Sequence, residues 1–250
     1  MVHFVGAGCG AADLITLRGK ALLERADVLI YAGSLVNPEL LNYAKPDCEI
    51  HNSAEMTLEE ILDVINTAEA NRKTTVRLHS GDSSIYGAIK EQMRELESLN
   101  IEYDVCPGVS SLSGAAAALK AEYTLPDVSQ TVIITRVEGR TPMPPKEKLS
   151  ALASHGATMV LFLSANLGDK VQAGLLEGGY PQQTPAAIIY KATWPDEKIF
   201  HCTVGAIAET LRNNKITKTA LICVGNFLSS NFSRSKLYDP NFATGYRGVR

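Results

Sequence analysis

Short apolar runs that stop at glycine, each followed by apolar positions at three- and four-residue spacing, organise this chain. Residues 2–5 form the first run, which breaks at Gly6-Ala7-Gly8-Cys9-Gly10. Thr16 then caps a predicted helix carrying Leu17, Ala21 and Leu22. Residues 28–31 give a second strand that closes at Tyr31-Ala32-Gly33-Ser34-Leu35, and Asn37-Pro38 starts a short helix. A third strand is weakly marked at 49–51. Thr57 and Glu60 form a capping box ahead of Leu58, Ile61, Leu62 and Ile65, a helix read as structural. The β-branched run Thr74-Thr75-Val76 leads through Arg77-Leu-His-Ser-Gly-Asp-Ser-Ser-Ile-Tyr-Gly-Ala to a helical face of Ile89, Met93 and Leu96. A fifth strand at 103–106 ends in Pro107-Gly108-Val109-Ser110-Ser111, which opens a small-residue helix over 114–119.

Periodicity fails around Pro126, so a linker is placed at 122–129. A second series follows: a strand at 131–135, a loop with Pro142, Pro144 and Pro145, and a helix from Lys146. After it come a strand at 158–163, a helix from Asn166, and strands at 186–190 and 220–224. Strand–helix alternation in both halves predicts the α/β class: two three-layer domains, 1–121 and 130–228, with a ligand cleft between them. Residues 229–250 read as a polar C-terminal extension.

The charge balance, 24 basic against 27 acidic residues for a net −3, argues against a nucleic-acid surface built on a basic stripe. Five cysteines without a Cys-x-x-Cys pair suggest reduced thiols and neither a zinc site nor a disulfide framework. His3, His51, His79, His155 and His201 are scattered, so no metal site is expected. The opening Met-Val-His-Phe-Val-Gly lacks a basic stretch followed by a long apolar one, and no apolar run approaches membrane-spanning length, so a soluble, cytoplasmic protein is expected.

Candidate chemistry concentrates at the corners. In the central one, Gly81 lets backbone approach a ligand and Asp82 offers an acceptor for hydroxyl, ammonium or amide groups, or else caps the next helix. Ser110 and Ser111 stand at a helix start, where free N–H groups can meet a ligand. His79, at a strand end, reads as a satisfied histidine ahead of a catalytic one. Gly6, Gly8 and Ala11 satisfy the loose dinucleotide fingerprint. The predicted helix starts too late for it, however, and the second strand ends without an acid for a ribose.

Taken in order, Gly-Ala-Gly-x-Gly, Arg-Leu-His-Ser-Gly-Asp-x-Ser-Ile-Tyr-Gly and Pro-Gly-Val-Ser-Ser resemble the tetrapyrrole methyltransferase family of cobalamin and sirohaem biosynthesis, over nearly the whole chain. Tyr31-Ala-Gly-Ser-Leu-Val, Ser53-Ala-Glu-Met-Thr-Leu-Glu-Glu and Ser233-Arg-Ser-Lys-Leu-Tyr-Asp-Pro resemble the branch that methylates C-11 of precorrin-4 or its cobalt complex. The resemblance implies a homodimer that binds S-adenosyl-L-methionine between its two domains and releases S-adenosyl-L-homocysteine. The tetrapyrrole would lie in a trough on the first domain, and any cobalt would be carried by the substrate. By position, cofactor contacts fall on Ser80, Gly81, Asp82, Ile85, Ser110 and Ser111, then on Leu163, Ala192, Thr219 and Ala220, with Cys9 in a slot usually held by proline. Relatives' Gly-Pro-Gly-Asp-Pro-Asp is Gly8-Cys9-Gly10-Ala11-Ala12-Asp13 here, and their Gly-Asp-Pro is Gly81-Asp82-Ser83, so both loops are expected to be more mobile.

A polycarboxylate substrate calls for arginines, and Arg77, Arg136 and Arg140 lie at or near strand ends; Tyr31, Ser34 and Tyr86 occupy corners that would border the trough. No catalytic residue is named, because the attacking carbon belongs to the substrate. The alternatives are a sister methyltransferase acting at another carbon, a nicotinamide-dependent oxidoreductase using the first glycine loop, and a non-catalytic tetrapyrrole carrier.

Overall fold

The computed structural model describes residues 1–229 and 232–249. The chain forms two units, Met1–Gly114 with Ala192–Asp196, and Ala115–Lys191 with Glu197–Arg250. In the first, β1 (Val2–Gly6), β2 (Val28–Tyr31), β3 (Glu49–Asn52), β4 (Thr75–His79) and β5 (Tyr103–Cys106) make one sheet in the order β3-β2-β4-β1-β5. Every pairing is parallel. Parallel neighbours need crossovers, which α1 (Leu17–Leu23), α2 (Leu58–Ala70) and α3 (Ile89–Ser98) help to supply. The caps behave as expected: the Thr16 hydroxyl accepts from Gly19 N–H at 3.0 Å, and Thr57 and Glu60 exchange both bonds of a capping box.

Leu23 of α1 packs with Val5, Leu29, Val76 and Leu78 on one face of this sheet. Ile61 and Ile65 of α2 and Leu96 of α3 pack with Val2, Phe4 and Ile30 on the other. The chain therefore leaves β1 toward one face and leaves the adjacent β4 toward the opposite face. Open α/β sheets hold ligands beyond the carboxyl ends of strands at such a reversal.

After α4 (Ser111–Leu119), the second sheet comprises β6 (Val132–Arg136), β7 (Thr158–Phe162), β8 (Pro185–Tyr190), β9 (Lys198–Thr203) and β10 (Ala220–Val224), in the order β6-β7-β10-β8-β9. Only β6 and β7 pair in parallel; the other pairings are antiparallel. The reason is local: β8 returns directly into β9 with no helix between them, which forces a reversal. α5 (Leu149–Ala153), α6 (Gly168–Glu177) and α7 (Ile207–Asn213) bury Leu149, Val171, Leu175, Ile207 and Leu211 against Met159, Leu161, Ile188 and Ile222. On the opposite face Tyr123 meets Cys223, at 3.8 Å between hydroxyl and thiol, and stacks edge-on with Phe227.

Some elements depart from the sequence reading. β9 and α7 have no counterpart in it, and α4 begins at Ser111 instead of 114. The helices expected from Lys146 and Asn166 begin as single 3-10 turns and become α-helical at Leu149 and Gly168. Residues 122–129 hold a turn closed by a Leu125–Ser129 bridge. In the extension, the Arg247 guanidinium donates to the carbonyls of Leu237, Asp239 and Phe242. Residues 230, 231 and 250 of that extension lie outside the described residues. Cys9, Cys48, Cys106, Cys202 and Cys223 are free thiols, and among the described residues no helix is long and apolar enough to cross a membrane.

Candidate functional site

Three corners of the first unit are joined by hydrogen bonds at the carboxyl ends of β4, β1 and β5. Gly8 and Gly81 form an antiparallel bridge, Gly8 N–H donating to the Gly81 carbonyl at 3.2 Å and Gly81 N–H to the Gly8 carbonyl at 2.9 Å. Gly108 closes the group: a Cβ there would lie 2.2 Å from the Gly81 carbonyl oxygen and 2.7 Å from Gly6 Cα, so backbone packs on backbone and a side chain has no room. From the corner after β2, the Asn37 side chain donates to the Gly10 carbonyl at 2.9 Å. Four loops are thus connected along one sheet edge.

Asp82 is the polar pin of this assembly. Its Oδ2 accepts from Gly108 N–H at 2.8 Å, while Oδ1 accepts from the Ser84 N–H at 2.9 Å and from the Ser84 hydroxyl. Burial pushes the carboxyl up, but the bonds from the Ser84 hydroxyl, Gly108 N–H and Ser84 N–H outweigh it and hold Asp82 below the ordinary carboxylate range. The Ile85 N–H to Asp82 carbonyl bond, 3.3 Å, closes a turn with Ser83 at its second position. Ser83 is buried and its hydroxyl has no hydrogen-bond partner among the described residues.

The buried polar pair in β4 is structural in character. Arg77 is 5% exposed and donates to the Gln92 side chain at 3.1 Å and the Ile30 carbonyl at 3.1 Å; burial lowers its pKa to about 10. His79, also 5% exposed, is pushed down to about 3 by burial and then by the Arg77 charge, so it is neutral. Its Nε2 has no partner among the described residues.

The first glycine corner is filled by the chain itself. A Cβ on Gly10 would fall 2.3 Å from Trp194 Cδ1 and 2.7 Å from the Ala192 carbonyl oxygen. The Thr193 hydroxyl accepts from Ala11 N–H at 3.0 Å and donates to the Cys9 thiol at 3.5 Å. The space that a dinucleotide pyrophosphate would need over these glycines holds residues 192–194, and beyond a single 3-10 turn at Ala12–Leu14 no α-helix begins until Leu17. This geometry disfavours the nicotinamide alternative.

In comparisons with known proteins, residues 1–208 match the family model of tetrapyrrole (corrin/porphyrin) methylases. The chain belongs to the tetrapyrrole methylase family. It is 57% identical over 98% of its length to the cobalt-precorrin-4 C(11)-methyltransferase of Methanocaldococcus jannaschii, covering 95% of that protein. It is 46% identical to the precorrin-4 C(11)-methyltransferase of Mycobacterium tuberculosis, with 95% of each chain covered. The X-ray structure of the cobalamin biosynthetic enzyme cobalt precorrin-4 methyltransferase, CbiF, superposes with a TM-score of 0.89 at 46% identity, over 91% of this chain and 95% of that one.

In this tetrapyrrole methylase, the candidates from the sequence are distributed unevenly. Gly81 faces Ser110 and Ser111, with Ser111 N 3.5 Å from a Cβ built at Gly81. Ser80, Asp82 and Ile85 belong to the same corner, and Tyr86 is exposed with φ 56°. Tyr31 ends β2, where its carbonyl accepts the Ser53 hydroxyl, and Ser34 is exposed in the following turn. Arg77 is a correction: its guanidinium is buried and spent on internal acceptors, so it offers nothing to a substrate surface. Cys9 is likewise buried, against Gly114 and Thr193. In the second unit, Leu163 and Thr219 adopt left-handed backbone, φ 51° and 54°, at strand ends, and Ala220 opens β10. Lys191 and Thr193, flanking the buried Ala192, have φ 49° and 69°. Arg72, Asn100, Lys120 and Lys215 share this conformation only as residues just past helix ends, whereas strain at strand-end corners is a mark of ligand sites.

Sequence reasoning missed Asn37, Thr193, Trp194 and Lys170. Asn37 was legible only as the cap before Pro38, and Trp194 is far in sequence from the glycine it covers. Lys170 lines a cavity of about 360 Å³ with Arg136, Arg140, Leu163, Asn166 and Leu167. Among the described residues no group of three or more His, Cys, Asp or Glu side chains is placed to hold a metal ion.

Proposed function

We propose that this protein is an S-adenosyl-L-methionine-dependent methyltransferase acting at C-11 of precorrin-4 or its cobalt complex, as a cytoplasmic homodimer. The observation that carries the reading is the 57% identity, across nearly the full length of both chains, to an enzyme of that name. The corner geometry fits it. Gly81 leaves backbone open beside the first turn of α4, and Ser110, Ser111 and the helix start supply N–H and hydroxyl groups suited to an anionic or polar end of a donor. Ser80, Ile85, Leu163, Ala192, Thr219 and Ala220 are proposed as further donor contacts, with Tyr31, Ser34, Tyr86, Arg136 and Arg140 on the substrate.

The donor supplies a sulfonium methyl, and the attacking carbon is the substrate's own, so no activated side-chain nucleophile is required. The residues contribute alignment and exclusion of water, because charge is dispersed as the new bond forms and water favours the concentrated charge of the reactants. Asp82 acts here by holding the corners in register. Incubation with precorrin-4 and donor carrying a ¹³C methyl, followed by NMR of the product, tests the proposal. Label at C-11 supports it; label at another carbon identifies a sister enzyme, and tetrapyrrole binding without transfer identifies a carrier.

A further inference from the structure

We propose that the cavity between the end of β6 and the start of α6 is a subsite for one carboxylate arm of the substrate. Arg140 and Lys170 are its donors and Arg136 the positioning residue that frames it. This rests on the reading above, which makes the substrate a polycarboxylate, and it assigns the recognition of one acidic arm to particular atoms.

Among the described residues three cations, Arg136, Arg140 and Lys170, line this cavity of about 360 Å³, and no acidic residue does. The chain as a whole is net acidic, so an uncompensated cationic pocket is a local feature. Two acids adjoin the lining in sequence and neither is part of it: Glu138 accepts a bond from Met143 N–H at 3.4 Å, and Asp169, next to Lys170, pairs with Arg212 at 2.6 Å. Arg136 is largely spent on its own loop, donating to the carbonyls of Val137 at 3.5 Å, Thr141 at 3.2 Å and Pro142 at 2.9 Å. Those bonds fix the loop that carries Arg140. Among the described residues Lys170 donates to the Glu138 carbonyl, at a long 3.4 Å, and an ammonium has three N–H groups to give.

The rest of the lining is chemically matched to an acetate or propionate arm. Val137 and Leu167 offer apolar surface for methylene groups, while the two cations meet the charged head. A donor carboxylate shares this head-group chemistry, so the test must separate the two.

Uroporphyrin, with eight carboxylates, and coproporphyrin, with four, serve as probes by fluorescence titration. They are applied to the wild-type protein, Arg140→Gln, Lys170→Gln and the double variant, with S-adenosylhomocysteine affinity measured calorimetrically on each. Both positions are exposed, so folding is not at stake. Each single change is expected to weaken uroporphyrin binding by roughly three- to tenfold, as for a partly exposed charge-assisted contact. The wild-type preference for uroporphyrin over coproporphyrin should narrow in the double variant, with S-adenosylhomocysteine affinity unchanged. An unaltered preference in the double variant overturns the subsite, and so does a loss confined to S-adenosylhomocysteine. Absence of methyl transfer by the wild-type protein would remove the proposed function, while the porphyrin comparison would still judge the pocket.

Discussion

Replacing Asp82 by asparagine preserves shape and removes one acceptor, which makes it a clean probe of how the corners are held. In the wild-type protein the two carboxylate oxygens receive the Gly108 N–H at 2.8 Å, the Ser84 N–H at 2.9 Å and the Ser84 hydroxyl. The amide can satisfy only one side; its NH₂ then faces either Gly108 N–H or Ser84 N–H, donor against donor. Losing a charge-assisted bond and leaving a part-buried N–H unpaired costs about 1–3 kcal/mol. Urea denaturation should register that loss for Asp82→Asn, and S-adenosylhomocysteine affinity should fall by roughly tenfold as the Gly81 and Gly108 corners drift apart. The effect has a pH signature. Because Asp82 titrates below its unfolded value, its contribution is complete above the unfolded carboxylate pKa near 3.8 and is lost as pH falls through the lowered folded value. The gap between wild type and variant should therefore close in acid. A variant within about 0.5 kcal/mol of wild type at neutral pH, the spread of inconsequential surface changes, would refute the bracing role.

Three further outcomes follow from the same geometry. His79, depressed to about 3 from 6.5, cannot take the proton that the unfolded chain takes, so stability should decline as pH falls from 6.5 toward 3. That slope, about 2 kcal/mol by pH 5, should vanish from the urea midpoints of His79→Phe, and parallel slopes would contradict it. Gly10→Ala drives a methyl into Trp194 and the Ala192 carbonyl at φ +154°, and a thermal or urea measurement should show a loss of about 2–4 kcal/mol; tolerance would mean that residues 192–194 do not cover this corner. Ser83→Pro should stabilise by about 0.5–1 kcal/mol, since position 83 is the second residue of a turn, favours proline and carries a hydroxyl without a partner among the described residues. Destabilisation would show that the Ser83 N–H or hydroxyl has a use.

The first unit was readable in the sequence because β1, β2 and β4 are short runs that break at a glycine corner and the helices carry a cap or a clear apolar face; β3, Glu-Ile-His-Asn, is the weakly marked exception. The second unit was less so. β9 is only partly buried and lacks the unbroken apolar run of a central strand, so Lys198-Ile-Phe-His-Cys-Thr carries a weak signal. The antiparallel pairings depend on a missing crossover, which apolar spacing does not reveal. At the site, the glycines and Asp82 were evident, but their uses were not. Gly10 reads as part of an open glycine corner until Trp194 is found over it, and Arg77 reads as a strand-end cation until its bonds to Gln92 and Ile30 are seen. Contacts of long sequence separation decide such roles, and spacing along the chain is blind to them.

The most direct test of the account is a crystal structure with S-adenosylhomocysteine bound. The account predicts the ligand against Ser80, Gly81 and the Ser110-Ser111 helix start, with Asp82 still bonded to Gly108 N–H. A ligand seated over Gly6 to Gly10 in place of Trp194, with the Gly81 corner untouched, would contradict it.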